Sequence, residues 1–123
     1  MAAMGLTYVT VVLKSSLGAE ALYRAQFLVD SGATDSMAPQ GQLLEAGIRP
    51  VGKTTYELAD GEVRELEFGL ATIEFMGEVT SGRVVFGPDD SEPLLGVTAL
   101  ESVGIVLDPA NKTLKRLPAI SLK

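Results

Sequence analysis

Between Leu6 and Leu13 the chain reads LTYVTVVL, a run dense in β-branched residues that predicts a strand. Gly18 marks a turn within Ser15 to Glu20, and a second apolar run from Ala21 to Val29 predicts the returning strand of a hairpin. Asp30 to Ala33 then reads as a loop, with Gly32 allowing backbone that other residues resist. Pro39 suits the first turn of a short helix whose buried side would be Leu43, Leu44 and Ala46, with Gly47 as the stop. Thr54 to Leu58 alternates as a strand, and Asp60-Gly61 is a hairpin-turn signal. Val63 to Phe75 predicts a long strand bent at Gly69, with Met76-Gly77-Glu78 turning it into Val79 to Phe86. After the polar stretch Gly87 to Pro93 come the short apolar segment Leu94-Leu95-Gly96 and a second short helix over Val97 to Val103, stopped by Gly104. Two last strands, Ile105 to Leu107 and Thr113 to Leu117, flank a turn at Asp108-Pro109.

Many short strands with Gly/Pro turns and one or two short helices predict an all-β fold, a barrel or a sandwich. The 123 residues suffice for one domain, with 1–5 and 118–123 as tails. An internal echo is visible: Leu44-Glu45-Ala46-Gly47-Ile48 is similar to Leu100-Glu101-Ser102-Val103-Gly104-Ile105. It reads either as two similar halves or as coincidence.

Charge and composition narrow the function. A formal charge of −6 disfavours a surface that tracks nucleic-acid phosphates or docks on anionic lipid. No apolar run approaches the ~20 residues of a membrane span. Met1 to Gly5 has neither a basic nor an apolar leader pattern, so the cytoplasm is the default compartment. The expected partners therefore exclude nucleic acid and membrane. With no histidine and no cysteine, imidazole and thiolate chemistry are closed, and a carboxylate leads the catalytic candidates. Asp89, Asp90 and Glu92 share a loop but lack metal-ligand spacing, so no metal and no cofactor are expected.

Asp30 follows the apolar wall Phe27-Leu28-Val29, with the Ser31 hydroxyl and Gly32 beside it. Taken alone, Asp-Ser-Gly is also ordinary punctuation after a strand. Order supplies more. Phe27 to Thr34 with Met37-Ala38-Pro39, then Tyr56 to Gly61, then Pro93 to Glu101 running on to Asp108-Pro109, together resemble the retropepsin-like (retroviral-type) aspartic proteases, in particular their small single-domain prokaryotic branch. The resemblance implies a closed acid-protease-type β-barrel with a flap hairpin, acting as a homodimeric endopeptidase on extended peptide or protein substrates.

It also implies roles. Asp30 would be the catalytic carboxylate, with Ser31 and Gly32 supporting its loop. Tyr56, Leu58, Ala59, Asp60 and Gly61 would form the flap over substrate, and Ala33, Leu58 and Leu94 would line pockets. Aspartic-protease chemistry needs two carboxylates about 3 Å apart sharing one proton. One such motif is present, so the second copy would come from a symmetry mate. Two features depart from the family pattern. Ser31 stands where Thr is commoner, and Val97 and Thr98 follow Gly96 where retroviral members usually carry an Arg that supports the dimer. The alternative is a catalytically silent module of the same fold that dimerises or binds peptides.

Overall fold

The structure is a computed structural model describing residues 6–122. The expected tail over residues 1–5 lies outside that range. The elements in chain order are β1 (Tyr8–Lys14), β2 (Tyr23–Val29), β3 (Ser36–Pro39), α1 (Gln40–Glu45), β4 (Gly52–Glu57), β5 (Val63–Phe75), β6 (Glu78–Gly87), β7 (Leu94–Leu95), α2 (Val97–Ser102), β8 (Ile105–Asp108) and β9 (Thr113–Arg116). The first hairpin forms as the pattern predicts, antiparallel from Tyr8 opposite Leu28 to Leu13 opposite Tyr23. It buries Val11, Leu13 and Phe27 completely.

One sheet runs in the order β1-β2-β7-β3-β6-β5-β4 and turns back on itself where Val12–Lys14 of β1 pairs with Thr72–Glu74 of β5. The two-residue β7 lies parallel to β2 and antiparallel to β3, so a short apolar segment sits in the middle of the sheet. The closed barrel expected from the sequence is corrected in form. Among the described residues, β4 pairs only with β5 and leaves an open edge, the β3–β7 join is a single residue pair, and β8–β9 form a separate two-stranded sheet. A two-residue strand cannot supply a long ladder to both neighbours, which is why the joins beside β7 are thin.

Two local readings also change. Ser36–Pro39 forms a strand, paired in parallel with Val84 to Gly87 of β6, where the pattern assigns no element to Ser36–Ala38 and places Pro39 in the first turn of a helix. Pro39 closes that strand with φ −59° and ψ 134°, and the helix begins after it. A proline's fixed φ and missing N–H are tolerated at such a strand end. Leu44 points outward, and Leu43 and Ala46 carry the helix's buried side. Gly69 lies within β5, the long strand that the pattern predicts. A Cβ there would meet the Arg49 carbonyl at 2.7 Å and Ile48 at 2.9 Å, so the glycine serves a close approach of chain.

The sequence echo has a structural counterpart. Both helices are six residues long, and each is stopped by a glycine at positive φ, 82° at Gly47 and 73° at Gly104. Each glycine delivers a fully buried isoleucine, Ile48 or Ile105, to the core. These two join Leu13, Phe27, Leu43, Ile73, Leu95 and Leu100 in one apolar cluster. At about 1.5–3 kcal/mol for each large side chain removed from water, this cluster is the main favourable contribution to the fold.

Candidate active site

Asp30 is the first residue past β2, with its side chain at the end of the strand and half-buried. Its N–H donates to the Leu95 carbonyl at 3.1 Å, and its own carbonyl accepts from Ala33 N–H at 3.1 Å, so the backbone turns tightly. Within that turn, Gly32 N–H donates to Asp30 Oδ1 at 3.0 Å. This is the side-chain-to-backbone bond by which an aspartate stabilises a turn two residues on. A Cβ on Gly32 would stand 3.3 Å from the same oxygen, so glycine keeps that flank of the carboxylate clear. Ser31 is exposed beside it and Ala33 is half-buried.

The turn is clamped by one continuous segment, Pro93 to Thr98. Leu28 N–H donates to the Pro93 carbonyl at 3.0 Å, ahead of the Asp30–Leu95 bond. Beyond the turn, Val97 N–H donates to the Ala33 carbonyl at 2.8 Å and Thr98 N–H to the Thr34 carbonyl at 3.2 Å. The first N–H groups of a helix have no partner within it, so α2 finds its own in the Asp30 loop. Between these pairs, Gly96 N–H donates to Ser36 Oγ at 3.0 Å, a buried bond on a hydroxyl that is 2% exposed. Gly96 itself must be glycine. An added Cβ would lie 2.6 Å and 2.7 Å from the Asp35 carbonyl carbon and oxygen and 2.8 Å from the Thr34 oxygen. Those are backbone atoms that cannot swing aside. Leu94 stands opposite Leu28 in the β2–β7 register and is half-buried.

The second feature is the β4–β5 hairpin. Its tip spans Leu58 to Glu62, wider than the tight Asp-Gly turn expected. Leu58 N–H donates to the Glu62 carbonyl and Gly61 N–H to the Leu58 carbonyl, both at 2.8 Å, and Gly61 adopts φ 87°. Asp60 Oδ1 accepts from Glu62 N–H at 2.9 Å. Ala59, Asp60 and Gly61 are exposed and Leu58 is half-buried. Along β4, Thr54 and Tyr56 face inward and Lys53, Thr55 and Glu57 outward, the alternation a pleated strand imposes.

On that inward face, Tyr56 Oη donates to Asp35 Oδ2 at 2.7 Å in a partly buried contact. Burial, reinforced by the hydrogen bond and charge of Asp35, pushes the Tyr56 phenol above its ordinary value, with Arg83 acting in the opposite direction. Arg83 of β6 donates to Thr54 Oγ1 at 2.9 Å and lays its guanidinium 3.9 Å from the Phe68 ring centroid. A gap of about 10 Å³, the space of a single water, lies among Asp35, Ser36, Ser81, Arg83 and Thr98.

Asp30, Ser31, Gly32, Ala33 and Leu94 thus come together around one clamped turn, and the β4–β5 hairpin joins it through the Tyr56–Asp35 bond. Asp35, Ser36 and Arg83 were not among the sequence candidates. Asp35 follows Asp30 by only five positions in the same loop, which is the one local hint of its place. The acidic loop near residue 90 is tied down by hydrogen bonds: Asp89 Oδ1 accepts from Gly41 N–H at 2.9 Å, and Glu92 accepts from Tyr8 Oη at 2.9 Å.

No protein-family model matches the chain, and no curated protein matches it in sequence. Among solved structures it is similar to the solution structure of the simian foamy virus (mac) protease. The TM-score is 0.51 at 20% identity, over 73% of this chain and 87% of that one. At that identity the likeness speaks to architecture: the chain has a retropepsin-like fold.

Proposed function

We propose that this chain is an aspartic endopeptidase acting as a homodimer, with Asp30 of one protomer facing Asp30 of its partner. The observation that carries the reading is the Asp30 turn and its flanks, Leu28 to Ser36, joined by five hydrogen bonds to Pro93–Thr98, within a fold shared with a retroviral protease. A plain turn at a strand end needs no such fixing. A catalytic carboxylate does, because its contribution depends on being held in place before substrate arrives.

Two carboxylates about 3 Å apart hold one proton between them, since both cannot readily ionise. The ionised member takes a proton from water as its oxygen attacks the scissile carbonyl carbon. The protonated member gives its proton to the carbonyl oxygen, yielding a neutral gem-diol. That intermediate collapses as the C–N bond breaks, with one diol proton returned to the dyad and a proton delivered to the leaving nitrogen. The protonation belongs to the pair and not to either residue. An extended peptide would lie between the Asp30 loop and the β4–β5 hairpin, with the tip from Leu58 to Gly61 above it and Ala33 and Leu94 beside its side chains.

The test is cleavage of an unstructured peptide library by wild type and Asp30→Asn across a broad pH range, with oligomeric state measured in the same samples. Cleavage by a dimeric wild type and its loss in Asp30→Asn support the proposal. A dimer that cuts nothing at any pH refutes it, as does an Asp30→Asn protein that cuts equally well. Peptide binding without cleavage would assign the chain to the silent-module class.

A further inference from the structure

β4 is the open edge of its sheet, paired on one side with β5 and carrying the flap tip at its end. Backbone pairing alone therefore leaves the hairpin free to swing about β5 as a unit. What opposes that swing is the row of side chains on its inward face. Gly52, Thr54 and Tyr56 share this face with their partners Phe68, Leu66 and Arg64. Gly52 sits under the Phe68 ring, where a Cβ would come within 2.8 Å of Cζ. Thr54 is held by Arg83, which is itself stacked on Phe68. Tyr56, the last inward residue before the tip, reaches 2.7 Å to Asp35.

The acceptor's position matters. Asp35 belongs to the Asp30 loop, and its backbone is the surface against which Gly96 is packed without room for one carbon. The backbone that carries the acceptor therefore has no room to move toward Gly96. A hydroxyl on a carboxylate is the stronger kind of hydrogen bond, and 2.7 Å lies in its short range. A phenol, with an ordinary pKa of about 10, is a proton donor throughout the neutral range.

We infer that the Tyr56–Asp35 hydrogen bond is a latch that sets the resting position of the β4–β5 flap relative to the Asp30 loop, with Tyr56 as a positioning residue for peptide capture. The capture half of this inference rests on the peptidase reading. The latch half concerns the resting protein alone. With the latch made, an arriving peptide meets a flap already in place. Without it, binding must also order the flap, and apparent affinity falls by the fraction of time the flap is in position.

The experiment compares wild type with Tyr56→Phe, which removes one oxygen and keeps the ring, Asp35→Ala, and the double variant. Asp35→Asn, which keeps an acceptor without the charge, serves as the conservative control. Backbone 15N relaxation of the resting proteins should show new mobility confined to Gly52–Phe68 in Tyr56→Phe, with β1 and β2 amides unchanged. In peptide cleavage, KM should rise roughly tenfold, the weight of one hydrogen bond to a charged group, while kcat stays within about twofold. The double variant should be no worse than either single one, because both remove the same bond. Asp35→Asn should fall between.

An unchanged flap in Tyr56→Phe overturns the latch. So does mobility spread evenly over β1 and β2, or singles that add in the double variant. If the flap loosens as described while wild type cleaves no peptide, the peptidase reading falls and the latch stands. If wild type cleaves and the flap is indifferent to Tyr56→Phe, the reverse holds.

Discussion

Replacing Gly96 by alanine adds one carbon at the most crowded point of the site. The backbone is not the obstacle, since Gly96 has φ −86° and ψ 168°, a conformation open to any residue. The obstacle is contact: the new Cβ would lie 2.6–2.8 Å from backbone atoms of Asp35 and Thr34. Relief requires the Asp30 loop and the start of α2 to separate, which stretches the buried Gly96 N–H to Ser36 Oγ bond. Overpacking of this kind costs about 1–3 kcal/mol, and a buried donor left without its acceptor about 1–3 kcal/mol more. A total near 3 kcal/mol would lower Tm by roughly 12 °C for a domain of this size. Urea denaturation at fixed protein concentration should show the midpoint falling with the slope unchanged. Gly82→Ala is the control: nothing lies within 4 Å of a Cβ there, so its effect should stay within about 0.5 kcal/mol or be slightly stabilising. If the two variants are equally stable, the clamp is not under the steric constraint described.

Ser36→Ala leaves the Gly96 N–H buried without its acceptor and should cost about 1–3 kcal/mol in the same urea assay; a neutral result would mean the amide finds another partner. Alkaline titration followed by phenolate absorbance should place Tyr8, Tyr23 and Tyr56 above the ordinary value of 10.0, through the Glu92 hydrogen bond at Tyr8 and through burial at Tyr23 and Tyr56. A raised value in the folded state means that the stability linked to these groups is whole below the unfolded value and is lost as pH rises through the folded one. A phenolate step at or below pH 10, absent in Tyr56→Phe, would contradict the environment assigned to Tyr56. Asp108 runs the other way, held below its ordinary 3.8 first by the Ala110 N–H and then by the Asn111 N–H. Its contribution should be present above the ordinary carboxylate range and lost as pH falls through the folded value, and carboxyl NMR that finds it titrating at or above 3.8 would refute the turn geometry.

Much of this molecule could be read from neighbouring residues. The alternation from Tyr8 to Leu13, the glycines that stop both helices, the Met76-Gly77 turn and the Asp30 turn are each decided within a few positions of chain. Local sterics and hydrogen bonding suffice to specify them, and the order of three weak motifs was enough to point to a fold that a solved viral protease shares. The tertiary structure decided the rest. Ser36–Pro39 became a strand because β6 and β7 offered it ladders on either side, against what its proline suggested. The need for glycine at Gly96 and Gly69 arises from chain segments remote in sequence that pass within one carbon's reach. Asp35 and Tyr56 are 21 residues apart, and neither side chain carries any local sign of the other. Periodicity encodes which face of an element turns inward, whereas which inward groups meet depends on how the sheet folds back on itself. The loop that bears Asp30 was therefore legible in the sequence, and the clamp that holds it and the Tyr56–Asp35 bond beside it were not.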